Sequence, residues 1–330
     1  MASSDQEIAS ELLPLLRVYK NGRVERLIQS EIVPPSLKDA KTGVSSKDIT
    51  ISTNPSISAR IYIPSSKLTT TEKLPLLIYF HGGGFCIESA FSLFQQRYLN
   101  AIVSQANVVA VSVDYRLAPE HPLPVAYEDC WTSFQWVLSH TDEQPQQHSI
   151  THGFDVEPWL KTNVNFDRVF LGGDSAGANI AHNIAMRAGA NGCSVIRGMF
   201  LVHPYFWGSE PIGSETDMDE GFKGMVEKIW LFVNPSAKDG LDDPMFNPFA
   251  NGAPSLSGLG CKRVLVCVAE NDVLKERGKF YCEELKKNGW EGEDVKLFES
   301  NEEGHAFHVF SPDTRNAQLL FKCLASFLSK

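Results

Sequence analysis

"FLGGDSAGANIAHNIA", residues Phe170 to Ala185, joins an apolar run to a small-residue stretch of helical character. Within it stands G-x-S-x-G, as Gly173-Asp174-Ser175-Ala176-Gly177. A bare match to five positions is weak. The context is what gives it content: the strand-like "RVFLGGD" ends at the motif, and a helix candidate from Ala178 to Arg187 begins just after it. A serine on so sharp a strand-to-helix turn needs small residues on both flanks, and the turn lifts its hydroxyl above the sheet edge. The plain alternative is an ordinary turn with Ser175 as a helix cap.

Working outward, further short runs have the near-continuous apolar character of strands covered on both faces. They are "LPLLIYF" (Leu74 to Phe80), "NVVAVSVDY" (Asn107 to Tyr115), "GMFLVHP" (Gly198 to Pro204), "RVLVCVA" (Arg263 to Ala269) and "VKLFES" (Val295 to Ser300). "KDITIS" and "ARIYIP" alternate like paired strands near the start. Helix candidates fall between the runs at Leu93 to Gln105, Ala126 to His140, Lys275 to Asn288 and Thr314 to Leu328. Such alternation predicts an α/β fold with a mostly parallel central sheet and helices on both faces. Two regions stand apart. Residues 1–40 hold an amphipathic stretch around Leu12 to Val18 and then a Pro-rich loop. Residues 205–252 are rich in Gly, Pro and Asp, with a helix-like "MVEKIWLFV". The second region is expected to be an insertion over the carboxyl edge of the sheet, where open α/β sheets bind ligands. The polar stretch from His140 to Trp159 reads as a surface loop.

Composition narrows the possibilities. The chain has 330 residues, 43% of them hydrophobic, enough for a large core. Its formal net charge of −10 argues against nucleic-acid partners, which require basic patches. Seven widely spaced cysteines include no C-x-x-C pair, so reduced, buried thiols are expected rather than a zinc or redox motif. The N-terminus lacks the basic region and apolar stretch of a signal peptide, and no window reads as a membrane span. The expectation is a cytoplasmic protein with no membrane attachment.

A serine hydroxyl needs a base to act as a nucleophile. Where the nucleophile sits on such an elbow, the chain order is serine, acid, histidine. Downstream, Asp272 follows "RVLVCVA" and His305 follows "VKLFES", so both fall on loops at strand ends, on the side of Ser175. Glu270 is an alternative acid and His308 an alternative histidine. Asp242 and Asp243 read as solvated turn residues, His182 as a packed residue of the elbow helix. His203 ends a strand and either lines the site or packs behind it. Upstream, "HGGGFCIES" follows the run "LPLLIYF". Adjacent glycines are costly to order and are retained where backbone must approach something closely. Attack on an ester carbonyl places negative charge on its oxygen, which preorganised N–H groups stabilise. The expected donors are Gly83, Gly84 and Ala176, with His81 orienting the loop.

These residues resemble a known family. "HGGGF", "DYRLAPEHPLPVAYED", "GGDSAGANIAH", "END" and "GHAF" look like the hormone-sensitive-lipase branch of the α/β-hydrolases, from about Val44 to the C-terminus. "LLPLLRVYKNGRVERL" and "GVSSKDI" resemble the plant carboxylesterase group, closest to its 2-hydroxyisoflavanone dehydratase-like members. The resemblance implies one α/β-hydrolase domain over residues 1–330, with a cap from about 1–40 and 205–252. It implies a serine carboxylesterase that uses Ser175, Asp272 and His305 on small apolar esters or related plant metabolites, without metal or other cofactor. A dehydratase-like lyase is the alternative. A gibberellin-receptor-like binding protein is less favoured, because those receptors lose the histidine that this chain keeps as His305. Arg116 and Glu120 are expected to pair. Phe85, Ile87, Phe206, Trp207 and Phe249 are candidates for a pocket wall, with core packing the equal alternative.

Overall fold

The structure is a computed structural model describing residues 7–28, 30–141, 156–287 and 289–330. The chain opens with β1 (Ile8–Leu12), β2 (Leu16–Tyr19) and β3 (Val24–Arg26), a small antiparallel sheet. The amphipathic stretch around Leu12 to Val18 is thus a hairpin. Pro14 cannot continue a hydrogen-bonded helix, and Leu12 and Leu16, facing each other across the turn, are both buried.

An eight-stranded sheet follows. It begins with the antiparallel pair β4 (Val44–Thr53) and β5 (Ser56–Pro64). It continues through β6 (Leu74–Phe80), α1 (Leu93–Ala106), β7 (Val109–Asp114), α2 (Val125–Leu138) and α3 (Pro158–Asn163). Then come β8 (Val164–Asp174), α4 (Ala176–Ala190), β9 (Ile196–Val202) and α5 (Glu220–Val233). The chain closes with β10 (Arg263–Ala269), α6 (Lys275–Lys287), β11 (Asp294–Ser300), α7 (Phe307–Phe310) and α8 (Arg315–Leu328). The spatial order is β11-β10-β9-β8-β6-β7-β5-β4. All neighbours from β11 to β7 pair in parallel.

The apolar runs serve two cores at once. Along β7, Val109, Val111 and Val113 join the cluster that holds Phe134 of α2, Ile180 of α4 and Tyr281 of α6. Val108 and Ala110 point the other way, to Tyr98 and Leu99 of α1 and Leu320 and Phe321 of α8. Helices therefore cover both faces, as expected. All seven cysteines are unpaired; five are buried and Cys193 and Cys323 half-buried. Among the described residues no helix is long and apolar enough to cross a membrane. Most of the polar stretch between His140 and Trp159 lies outside the described residues.

Residues 205–252 run from the end of β9 to a point shortly before β10 and carry α5. Asn179 of α4 ties the elbow helix to this segment: its amide nitrogen donates to Tyr205 O (3.0 Å) and Met245 O (2.7 Å). A buried ion pair ties it to α6, with Arg277 Nη2 and Glu215 Oε2 2.7 Å apart. Burying two charges is offset only by good geometry and further bonds. Here the Ile212 N–H also donates to Glu215 Oε2 (2.9 Å), and Arg277 donates to Glu210 O (2.7 Å).

Candidate active site

Ser175 sits between the last residue of β8 and the first of α4, with φ 52° and ψ −118°. That left-handed φ is unusual for a residue with a side chain and needs support from its surroundings. The support is explicit. The Ser175 N–H donates to Val202 O (2.9 Å), and its carbonyl accepts from Asn179 N and Tyr205 N (both 3.1 Å). Gly177 allows α4 to approach β6: a Cβ there would lie 1.9 Å from Phe80 O. Gly177→Ala is therefore expected to cost about 3 kcal/mol or more, at the upper end of overpacking effects, read as a fall in the urea midpoint. An unchanged midpoint would contradict this packing.

Asp272 follows β10 and His305 follows β11, on loops that converge on Ser175. His305 Nε2 lies 2.9 Å from Ser175 Oγ, and His305 Nδ1 lies 2.8 Å from Asp272 Oδ2. The Asp272 side chain is buried, and its Oδ1 accepts the Leu274 N–H (3.0 Å). The His305 side chain keeps 37% of its surface exposed. Burial pushes the Asp272 carboxyl up, but the charge and hydrogen bond of His305, with smaller help from His203 and the Leu274 N–H, hold it below the usual range. Desolvation likewise pushes His305 down, and the Asp272 charge and hydrogen bond, with Asp174 beyond, outweigh it and hold it above its ordinary value. A hydroxyl, an imidazole and a carboxylate in line form the arrangement that activates a serine.

The alternatives fall elsewhere. Glu270 is exposed and accepts the Glu302 N–H (2.7 Å). His308 is buried in α7, its ring against Tyr98. His182 bonds Tyr281 Oη through Nδ1 (2.9 Å), and burial pushes it down to about 3. Asp242 accepts from Ser209 N (3.1 Å) and Asn247 Nδ2 (2.8 Å), and Asp243 from Met245 N (2.9 Å). His203 packs behind the site, with its Nδ1 3.8 Å from Asp272 Oδ2. His203, Asp272 and His305 bring ligand-type atoms within 4.8 Å of one another. Their lone pairs are engaged, however: His203 Nδ1 accepts the Ala306 N–H, and His305 bridges Asp272 and Ser175. The donor set therefore suits acid–base chemistry better than a cation.

The glycine loop lies beside the elbow. Gly83 has φ +107°, and a Cβ there would meet Ile87 O at 2.3 Å. The Gly83 carbonyl accepts from Cys86 N (3.0 Å) and Ile87 N (2.9 Å). The N–H groups of Gly83, Gly84 and Ala176 bond to no other described residue. His81 orients the loop as expected: its Nδ1 bonds Gly82 O (2.7 Å), and its ring stacks on Tyr115 with centroids 4.3 Å apart. Ile229 of α5 stands over the loop, with Cγ2 3.1 Å from where a Gly84 Cβ would be.

Several supports of the site carry no signal in the sequence. Buried Asp174 joins elbow to loop by accepting the Gly82 N–H (3.0 Å) and the Tyr79 hydroxyl. Arg26 of β3 donates to Cys86 O (2.8 Å), Ala118 O (3.2 Å) and Glu120 Oε2 (2.8 Å). The expected Arg116–Glu120 pair is therefore corrected. Arg116 binds Asp129 instead (Nη2–Oδ1 2.6 Å), because Asp129 is buried on α2 and needs a cation beside it. Glu120 is left to Arg26. Of the pocket candidates, Phe85 and Phe206 are core residues, Phe85 among Tyr127, Tyr205 and Trp230 and Phe206 stacked on Tyr281. Ile87 and Trp207 are buried, and Phe249 packs on Phe280.

The chain is similar over nearly its whole length to plant proteins. It is 50% identical over 329 residues to a 2-hydroxyisoflavanone dehydratase of Glycyrrhiza echinata, covering 99% of this chain and 98% of that one. It is 48% identical over 331 residues to probable carboxylesterase 2 of Arabidopsis thaliana, covering 100% and 99%. Among solved structures, a hyperthermophilic esterase from the archaeon Pyrobaculum calidifontis superposes with a TM-score of 0.70 at 28% identity, over 86% of this chain and 85% of that one. The family model for the alpha/beta hydrolase fold matches residues 77–309, which hold the glycine loop, the elbow, Asp272 and His305. By strand order, by the placing of these loops and by these likenesses, the chain belongs to the alpha/beta hydrolase fold family, as a carboxylesterase-type member.

Proposed function

We propose that the protein hydrolyses small apolar carboxylic esters by two-step acyl transfer. The observation that carries this reading is the unbroken line from Ser175 Oγ through His305 to Asp272 Oδ2. Ser175 Oγ attacks the carbonyl carbon while His305 Nε2 takes its proton. Asp272 keeps the proton on His305 Nδ1 and stabilises the imidazolium. The N–H groups of Gly83, Gly84 and Ala176 hold the charge on the carbonyl oxygen. His305 then protonates the leaving alcohol, and water, activated by the same nitrogen, releases the acid. The described residues within about 1–40 and 205–252 act as a cap on a single α/β-hydrolase domain. In support, Arg26 reaches the glycine loop and Ile229 overlies it. Phe222 and Met225, on the same helical face as Ile229, continue an apolar surface outward, which suits an apolar acyl or alcohol group.

The test is a series of p-nitrophenyl esters of increasing acyl length. Turnover of the acetate and butyrate well above buffer is expected, and no turnover of any member would overturn the reading. The pH dependence has a definite sign. His305 accepts a proton only when neutral, and its pKa stands above the ordinary 6.5. The rate constant kcat/KM should therefore fall as pH drops, with the midpoint of the acid limb above 6.5. A midpoint below that value would contradict the upward hold of Asp272 on His305, and the absence of any acid limb would contradict the assignment of His305 as the base.

A second reading is favoured by the 50% identity to a 2-hydroxyisoflavanone dehydratase. His305 would take a proton α to a ketone held by the same N–H groups, the C–O bond to the β-hydroxyl would break as the C=C bond forms, and the proton on His305 would pass to the departing hydroxide, which leaves as water. Incubation with a 2-hydroxyisoflavanone and chromatography for the isoflavone separates the two reactions.

A further inference from the structure

β9 ends at Val202, and His203 turns left-handed with φ 49°. Its own N–H is fixed to Cys267 O of β10 (2.8 Å). Its ring is buried, 1% exposed, behind the loop that carries His305. There Nδ1 accepts the N–H of Ala306 (2.9 Å). Ala306 is also left-handed, with φ 56°, and is the residue directly after His305. Two unusual backbone conformations, one at the end of β9 and one after His305, are thus joined by a single hydrogen bond. An alanine in that conformation costs free energy and persists only when its surroundings fix it.

We propose that His203 is a positioning residue for the ester reaction: by accepting the Ala306 N–H it sets the loop that holds His305 Nε2 at Ser175 Oγ. This rests on the reading of His305 as the base.

The chemistry of the ring fits that task. To accept an N–H, Nδ1 must carry a lone pair, so the proton sits on Nε2 and the ring is neutral. Burial secures this by pushing His203 down to about 4, against an upward pull from Asp272 and with further lowering by His305. The neutral state matters for a second reason. Nδ1 is only 3.8 Å from Asp272 Oδ2, the oxygen that receives His305. A proton on Nδ1 would release Ala306 and compete for that oxygen. The ring centroids of His203 and His305 stand 5.6 Å apart, so His203 reaches the loop without displacing the base.

The test compares His203→Asn, His203→Leu and His203→Gln, with Ser175→Ala as control, on p-nitrophenyl butyrate. Asn places Oδ1 where Nδ1 stands and can accept the Ala306 N–H. Leu has nearly the same shape and cannot. Gln has the acceptor but one methylene too far out. A shift of about 1 Å at a reacting group costs about 100-fold. Leu and Gln should therefore lose about 30- to 100-fold in kcat with KM within about twofold, while Asn stays within about fivefold of wild type. Thermal unfolding and circular dichroism give the folded fraction of each variant, so a loss caused by misfolded enzyme is separated from a slower one. Equal kcat for Asn and Leu, or a loss carried by KM, would overturn the proposal. Should Leu and Gln fail to fold, Asn decides: folded Asn enzyme within fivefold of wild type supports the proposal, and a larger loss overturns it. Full activity in Ser175→Ala would instead overturn the ester mechanism itself.

Discussion

Ser175→Ala is expected to lower kcat on p-nitrophenyl acetate by at least about 10⁴-fold while leaving the fold intact. The size follows from the chemistry: without Oγ no acyl-enzyme forms, and residual rate comes from substrate binding and the N–H groups alone. The fold should survive because nothing that holds the elbow uses the hydroxyl. The bonds from Ser175 N to Val202 O and from Tyr205 N to Ser175 O are backbone bonds. Alanine also keeps the one side-chain atom that the left-handed turn already accommodates. The measurement is steady-state turnover beside thermal unfolding. Retention of most of the rate by folded Ser175→Ala would remove Ser175 from the mechanism.

Asp272→Asn should be nearly as severe, with kcat lower by about 10⁴-fold, for a different reason. Asp272 Oδ2 accepts from His305 Nδ1, so Nε2 is left with a lone pair toward Ser175. An amide can present its NH₂ to Nδ1 instead. The imidazole proton then moves to Nε2, where it blocks uptake of the serine proton. The carboxylate also holds the His305 pKa up by charge and hydrogen bond. Its loss should move the acid limb of the residual activity to lower pH. A variant with near-normal kcat, or an acid limb displaced upward, would contradict this role for Asp272.

Much of this arrangement is legible in the residues because it depends on local pattern. The apolar runs of β6, β7, β8, β9 and β10 mark strands buried on both faces, and Gly173 and Gly177 mark a turn too tight for side chains. Asp272 and His305 can be chosen because each follows such a run and so must lie at one edge of the sheet. What the residues do not disclose is pairing over long separations. Arg26 and Glu120 are 94 residues apart, and only the docking of the first small sheet brings them together. Arg116 has acidic residues at both 120 and 129, and the choice depends on which carboxylate is buried. The hairpin of β1 and β2 carries helix-like spacing between Leu12 and Leu16, and Pro14 between them is the signal that decides against a helix. Asp174 is an unconstrained letter of its motif, so its bond to Gly82 becomes apparent only when β6 and β8 are seen side by side.

The central claim is that Ser175 is an activated nucleophile. Its most direct test is peptide mass mapping after inhibition with an organophosphate, which reacts readily only with an activated hydroxyl. One phosphoryl group per chain on the peptide containing Ser175, with activity lost in proportion and no labelling in Asp272→Asn at matched times, is the predicted result. Loss of activity with the label on another residue and Ser175 untouched would contradict it.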